Sequence, residues 1–268
     1  MPVTRGAAYE CKRRNVAWGR YSSSKPMNII RLLIVGAKGR MGKVIADLAQ
    51  SESGVEIVAQ CDLGDAIGPA MKSCDVAVDF SQADAIEEVC RAALENGRPL
   101  VIGTTGHSTG QGRVIEKAAE SIPVVLASNF SVGVNALFWL TRKTAELLGS
   151  EFDLEIVEMH HRMKKDAPSG TAKTLAEILQ QARKTQKIRH GREGNVGERD
   201  QNEIGIHSIR GGDAVGDHTV IFAGPGERLE LTHRASSRDT FAKGALRAAK
   251  WIIGKPAGRY SMQDVLGL

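Results

Sequence analysis

The sequence predicts an α/β protein with two domains: a parallel-sheet domain followed by an α+β domain with an open mixed sheet. Three observations carry that prediction. Short apolar runs alternate with helical patterns through the first half, as parallel strands joined by crossover helices do. A glycine-rich turn joins the first strand to the first helix. Beyond residue 200 the pattern changes to closely spaced strands of alternating polarity that share a Gly-Pro-Gly turn.

Taken in order, Met27 opens the first strand region, and Ile29 to Val35 is an apolar run that ends in Gly36-Ala37-Lys38-Gly39-Arg40-Met41-Gly42. Val44, Ile45, Leu48 and Ala49 then follow helical spacing. Val55 to Cys61, Val76 to Phe80, Leu100 to Ile102 and Val124 to Leu126 read as further strands, with helices near Ala83 to Asn96 and Gln111 to Ser121. From Val132 a helical face formed by Val134, Leu137, Phe138, Ala145 and Leu148 leads into a strand from Leu154 to His160. A helix near Thr171 to Ala182 follows, and the polar stretch Arg183 to Gln201 reads as a loop. Glu203 to Ile209, Thr219 to Ala223 and Arg228 to Thr232 complete a sheet expected to be largely antiparallel, and a helix from Phe241 to Ile253 returns to the first domain. The expected boundaries are a disordered or extraneous extension over 1–26, a dinucleotide-binding domain over 27–130, a substrate-binding and oligomerisation domain over 131–240, and a returning segment over 241–268.

A chain of 268 residues, 42% hydrophobic and 25% charged, can bury a sizeable core, and none of its apolar runs approaches the roughly 20 residues needed to span a bilayer. The formal charge of +5 comes entirely from residues 1–25, where six bases face the single acid Glu10. The body beyond is formally neutral, which argues against nucleic acid as a partner of the folded part. That basic, Ser-containing segment lacks the apolar stretch of a secretory signal and faintly resembles a transit peptide; a disordered tail or an upstream start codon is the plainer expectation. Cys11, Cys61, Cys74 and Cys90 have neither metal-ligand nor redox spacing, so no metal is expected, and buried thiols in a reducing, cytoplasmic setting are.

Gly36, Gly39 and Gly42 form a G-x-x-G-x-x-G variant of the pyrophosphate-binding turn, in the strand-to-helix context where backbone amides and a helix N-terminus hold an anion. Asp62 follows the second strand, where a carboxylate can accept the adenine-ribose hydroxyls; it favours NADH. Lys38 and Arg40 could pair with a 2′-phosphate, so NADPH stays open beside NADH. Gly103-Thr104-Thr105-Gly106 and Ala127-Ser128-Asn129-Phe130 follow the fourth and fifth strands, where small residues permit close approach to a nicotinamide ribose and carboxamide. The densest chemistry runs from Glu158 to Thr171. His160 and His161 point to opposite sides of a strand, so they suit separate roles rather than one metal. A histidine can deliver a proton near neutral pH, and Lys164 supplies a second donor or a cation for a carboxylate. Pro168, Ser169, Gly170 and Thr171 mark a helix N-terminus with free amides and hydroxyls, so a small dicarboxylate is the expected substrate class.

Those motifs are similar, in order, to the 4-hydroxy-tetrahydrodipicolinate reductases: Gly36 to Gly42, Val101 to Gly106, Asn129 to Asn135, His160 to Ala172, and Ala235-Ser236-Ser237-Arg238 through Phe241. The resemblance spans about 28–268. It implies an N-terminal Rossmann-like domain, a C-terminal domain that builds a homotetramer through its sheet, and NADH or NADPH as hydride donor. By position it implies that Gly36, Ala37, Lys38, Gly39, Arg40, Met41, Asp62, Gly103, Thr104, Thr105 and Ala127 to Phe130 hold the nucleotide. It further implies that His160 is the proton donor, Lys164 a second donor, and that His161, Gly170 and Thr171 hold substrate carboxylates. Leu63 and Gln82 stand where many or some relatives carry arginine, which weakens strict NADPH use. Two rivals remain: an aspartate- or homoserine-type dehydrogenase, which has no use for the His160 to Thr171 cluster, and a nucleotide-binding redox sensor, which needs no proton donor.

Overall fold

The computed structural model describes residues 29–184 and 187–268; the expected extension over 1–26, Cys11 and the strand opening at Met27 lie outside the described residues. The first half consists of β1 (Ile30–Val35), α1 (Arg40–Ser51), β2 (Val55–Cys61), α2 (Ile67–Ser73), β3 (Val76–Asp79), α3 (Ile86–Asn96), β4 (Leu100–Ile102), α4 (Thr109–Ala119) and β5 (Pro123–Leu126). The second half consists of α5 (Val132–Leu148), β6 (Asp153–His160), α6 (Gly170–Arg183), β7 (Lys187–His190), β8 (Glu203–Arg210), β9 (Gly216–Gly224), β10 (Glu227–Ala235), α7 (Asp239–Ile252), β11 (Gly258–Tyr260) and α8 (Met262–Leu266). Among the described residues no helix is long and apolar enough to cross a membrane.

The first sheet runs β2-β1-β3-β4-β5-β11 with every ladder parallel. Its strands are apolar on both faces because both faces are covered. Leu32, Ile34, Val76, Val78, Val101 and Val125 pack with residues of α1, α7 and α8. Leu33, Val35, Ala77, Leu100, Ile102 and Val124 face the residues of α2, α3 and α4. Each fully buried Leu or Ile contributes roughly 1.5–3 kcal/mol, so these two layers dominate the stability of the domain. The order reverses between β1, which leads outward to β2, and β3, which leads the other way. That switch leaves a crevice at the carboxyl ends of both strands, where such sheets bind ligands.

The second sheet runs β10-β9-β6-β8-β7. It is mixed rather than largely antiparallel: β9 pairs antiparallel with β6 and β10, but β8 pairs parallel with β6 and β7. The parallel half arises because α6 carries the chain from the end of β6 back over the sheet before β7 and β8. Leu154, Ile156, Ile204, Ile206, Val220 and Phe222 pack beneath α5 and α6.

Several short elements are absent from the pattern read above. The polar stretch 183–201 contains β7. Both α2 and the final β11 and α8 are too short for hydrophobic periodicity to register. The returning helix is α7, which starts at Asp239.

The loop after β7 is pinned by charge instead of apolar packing. Glu155, on the open face of β6, accepts from Arg192 at 2.8 Å, Arg199 at 3.0 Å and His207 at 2.8 Å. Burial alone would raise its carboxyl, but the Arg192, His207 and Arg199 hydrogen bonds outweigh it and hold the group at about 2. Its folded value is below the ordinary 4.5, so its stabilisation is present above the unfolded value and lost as pH falls from there through about 2. Urea denaturation between pH 5 and pH 2 should therefore show a steeper loss of stability for the parent chain than for Glu155→Gln; parallel curves would remove this role.

Candidate active site

The crevice at the switch point is built by the turn after β1. Gly36 has φ +82°, and a Cβ there would strike the backbone of Phe80 and Ser81. A Cβ on Gly42 would strike the Gly36 carbonyl, so both positions need glycine for close packing. Gly39 caps α1 without any side-chain bond, which leaves the first amides of the helix free for an anion. Gly36 and Ala37 are buried, Met41 packs half-buried on the core, and Lys38, Gly39 and Arg40 are exposed. Asp62 accepts from the amides of Lys38 at 2.7 Å and Leu63 at 2.9 Å. The Leu63 and Lys38 amides lower its carboxyl, so it is ionised and keeps lone pairs for ribose hydroxyls. Gly36, Asp62, Leu63, Ser81 and Gln82 border a cavity of about 280 Å³, and Asp65, Asp84 and Glu88 also line it. The free amides, the glycine-dependent turn and the ionised carboxylate fit the pyrophosphate and ribose of a dinucleotide.

The neighbouring strand ends are tied together by a residue that sequence reasoning passed over. Asp79, fully buried at the end of β3, accepts from Thr104 at 2.6 Å and from the Ser81 hydroxyl at 2.5 Å. Burial pushes its carboxyl up despite those bonds. Thr104 also accepts from the Ser81 amide, so its hydroxyl is committed to loop structure. Thr105 and Gly106 are exposed, and Gly103 sits where a Cβ would strike the Phe80 ring. After β5, Ala127 and Asn129 are half-buried, Ser128 is exposed and Phe130 is buried.

The strand β6 delivers its alternate residues, Glu158 and His160, into the protein. Glu158 has no exposure and His160 is 9% exposed. The Nδ1 of His160 lies 2.6 Å from the Glu158 carboxylate, and Arg210 grips both oxygens of that carboxylate at 2.8 Å. Burial alone would raise Glu158, but bonds from Arg210, Ser208, His160 and the Ser169 amide hold it at about 2. The His160 imidazole is lowered by burial, which the Glu158 anion only partly offsets. His218 of β9 meets His160 edge-on with centroids 5.1 Å apart and is pushed down to about 4 by burial. Its Nε2 contacts the Ser169 hydroxyl at 3.1 Å.

The chain then leaves the strand. His161 is half-buried, and its amide donates to Ala214. Lys164, 20% exposed, pairs with Asp166 at 2.9 Å. Ser169 caps α6 by accepting from the Ala172 amide at 3.2 Å. With its own amide on Glu158 and its hydroxyl beside His218, Ser169 positions the helix terminus. Gly170 is open, and Thr171 accepts from the Asn129 side chain at 3.2 Å. That bond joins the β5 loop to the first turn of α6, so the two groups of residues that the sequence marked separately meet. Asp79, Arg210 and His218 carried no motif; a charged or imidazole group at a buried position of a strand is the signal that finds Asp79 and His218, while half-buried Arg210 offers no local signal.

Residues 30–130 match the family description "Dihydrodipicolinate reductase, N-terminus" and residues 133–266 match "Dihydrodipicolinate reductase, C-terminus". The chain belongs to the dihydrodipicolinate reductase family. It is 55% identical over 243 residues to the 4-hydroxy-tetrahydrodipicolinate reductase of Akkermansia muciniphila, covering 90% of this chain and 99% of that protein. It is 43% identical to the same-named reductase of Halorhodospira halophila, covering 88% and 98%. Among solved structures it resembles the dipicolinate-bound dihydrodipicolinate reductase of Paenisporosarcina sp. TG-14, with a TM-score of 0.72 at 25% identity over 88% of this chain and 98% of that one. A probable dehydrogenase from Thermotoga maritima, at 10% identity, a TM-score of 0.60 and coverage of 88% and 92%, shares the fold alone. As a member of this reductase family the chain is an oxidoreductase with a Rossmann-like nucleotide domain.

Proposed function

We propose that this chain reduces 4-hydroxy-tetrahydrodipicolinate to tetrahydrodipicolinate with NADH or NADPH, in lysine and diaminopimelate biosynthesis. The observation that carries this is the Asn129–Thr171 hydrogen bond, which sets the nucleotide-side loop against the helix terminus beside His160 and Lys164. The dihydronicotinamide, when bound, supplies hydride to the substrate ring. The amides of the Gly36 to Met41 turn would hold the pyrophosphate and Asp62 the adenine ribose. Gly103, Thr104, Thr105 and Ala127 to Phe130 would border the nicotinamide ribose, Thr104 through its backbone.

His161, Ser169 and the free amides of Gly170 and Thr171 would grip the two carboxylates, with Ser169 also capping that terminus. His160 would give the proton and Lys164 a second one. Burial lowers His160 in the unliganded protein. A doubly anionic substrate reverses that pressure, because nearby negative charge favours the imidazolium. The buried free thiols of Cys61, Cys74 and Cys90 support a reducing, cytoplasmic setting.

The proposal includes a homotetramer assembled through the second sheet. Val157, Met159, Ile209 and Ile221 lie outside its helix-covered core, and Ile209 is 47% exposed. These side chains form an apolar strip beside the charged Glu155 cluster, and such a strip on an open sheet face is stable in water when another copy covers it.

His160→Gln and Lys164→Ala should each lower kcat at least about a hundredfold, as loss of general acid catalysis does, while nucleotide still binds. Undiminished turnover of substrate freshly made from pyruvate and aspartate semialdehyde would refute both roles. Asp62→Ala should weaken NADH more than NADPH in a titration, and an equal loss would remove the ribose contact. Sedimentation velocity should report the mass of four chains; a lone chain at micromolar concentration contradicts the assembly.

A further inference from the structure

Glu158 belongs to no motif role assigned above, yet the geometry around His160 converges on it. A carboxylate without solvent costs several kcal/mol unless its lone pairs are filled. Here they are filled from separate segments: Arg210 of β8 with two bonds of 2.8 Å, the Ser169 amide at the head of α6 at 3.1 Å, Ser208 of β8, and His160 itself. Arg210 lies opposite His160 in the parallel register and also donates to the Asp166 carbonyl at 2.8 Å. One guanidinium thus fixes both the carboxylate and the loop that carries Lys164.

A carboxylate held this way accepts hydrogen bonds only, so the ring nitrogen beside it must carry a hydrogen. Nε2 takes no partner among the described residues and is not one of the buried unpartnered atoms. We propose that Glu158, clamped by Arg210, is the positioning residue of this site: it keeps Nδ1–H of His160 engaged and leaves Nε2 as the nitrogen that gives up the proton. This rests on the assignment of His160 as proton donor. In the transfer, the 4-hydroxyl would first leave as water with a C3 hydrogen, which leaves a C3=C4 double bond; hydride from the dihydronicotinamide would then enter at C4, that double bond would open, and the Nε2–H bond would break as the C3–H bond forms. The electron pair of Nε2–H stays on a neutral imidazole that is still protonated at Nδ1, and solvent restores the lost proton.

The groups that bear on His160 are Glu158 on its own strand, Lys164 in the following loop, Arg210 on β8 and His218 on β9. Asp166 partly offsets Lys164 through their ion pair. His218 is neutral near pH 7 because of its burial, so it does not compete for the proton. Glu158 and Arg210 act on the imidazolium with opposite signs. Removing the first should make His160 harder to protonate, and removing the second should make it easier.

The test is nitrogen-15 NMR of histidine-labelled protein, with the His160 signal assigned by its loss in His160→Gln. In the unaltered chain the neutral ring should carry its hydrogen on Nδ1; a ring protonated on Nε2 overturns the proposal without any variant. In Glu158→Gln the titration midpoint of His160 should fall by about one pH unit or more. The alkaline limb of kcat should fall with it, while KM for nucleotide changes less than about twofold. In Arg210→Met the midpoint should rise. If kcat drops in Glu158→Gln while tautomer and midpoint stay fixed, the positioning role is lost. If the NMR changes occur and kcat does not follow, the positioning stands and His160 is not the donor.

Discussion

Glu158 stays ionised without water only because Arg210, Ser208, His160 and the Ser169 amide fill its lone pairs, and those groups come from different parts of the second domain. An unpaired buried charge is among the most destabilising things a fold can contain. The ends of β6 and β8, the loop carrying Lys164 and the head of α6 therefore have little freedom to drift apart. The placement of His160, Lys164 and the head of α6 follows from that constraint. His160 is aimed by it, Lys164 reaches it through Asp166 and Arg210, and the amides of α6 are held by Ser169.

The nucleotide side obeys a different rule. Its glycine turn and strand-end loops are positioned by a parallel sheet buried on both faces, where sequence must supply apolar residues and tight turns but few charges. Asp79 is the exception, joining the ends of β3 and β4 through Thr104 and Ser81. The two sides communicate through Asn129 and Thr171. A rigid scaffold on one side and a polar lattice on the other meet at Asn129, which donates to Thr171 and whose carbonyl accepts from the Asn135 side chain of α5 at 2.9 Å, so relative motion of the domains would be felt there.

Much of this was legible in the residues. The strands β1 to β5 announced themselves as apolar runs, and the glycine turn and the His160 to Thr171 cluster are contiguous in sequence, so local pattern reveals them. What stayed hidden depends on distance along the chain. Arg210 is fifty-two residues from Glu158 and His218 forty-nine from Ser169, and no local spacing links them. The parallel pairing of β8 with β6 was hidden for the same reason: alternation of polarity is identical in parallel and antiparallel strands. Ser169 is legible as a helix cap from its place before Gly170 and Thr171, but its contacts with Glu158 and His218 are not.

The return of the chain to the first domain carries a consequence for how the protein is made. Strand β11 closes the edge of that sheet against β5, and Ala242, Ala245, Leu246, Ala248, Ala249 and Ile252 of α7 line its core. A ribosome delivers the N-terminal strands long before those residues leave the exit tunnel. Until then one sheet face is covered by α1 alone and one edge is bare, whereas the second domain has all its strands and both covering helices. Assembly during synthesis should thus run middle first, with the nucleotide half completed last by the trailing end of the chain.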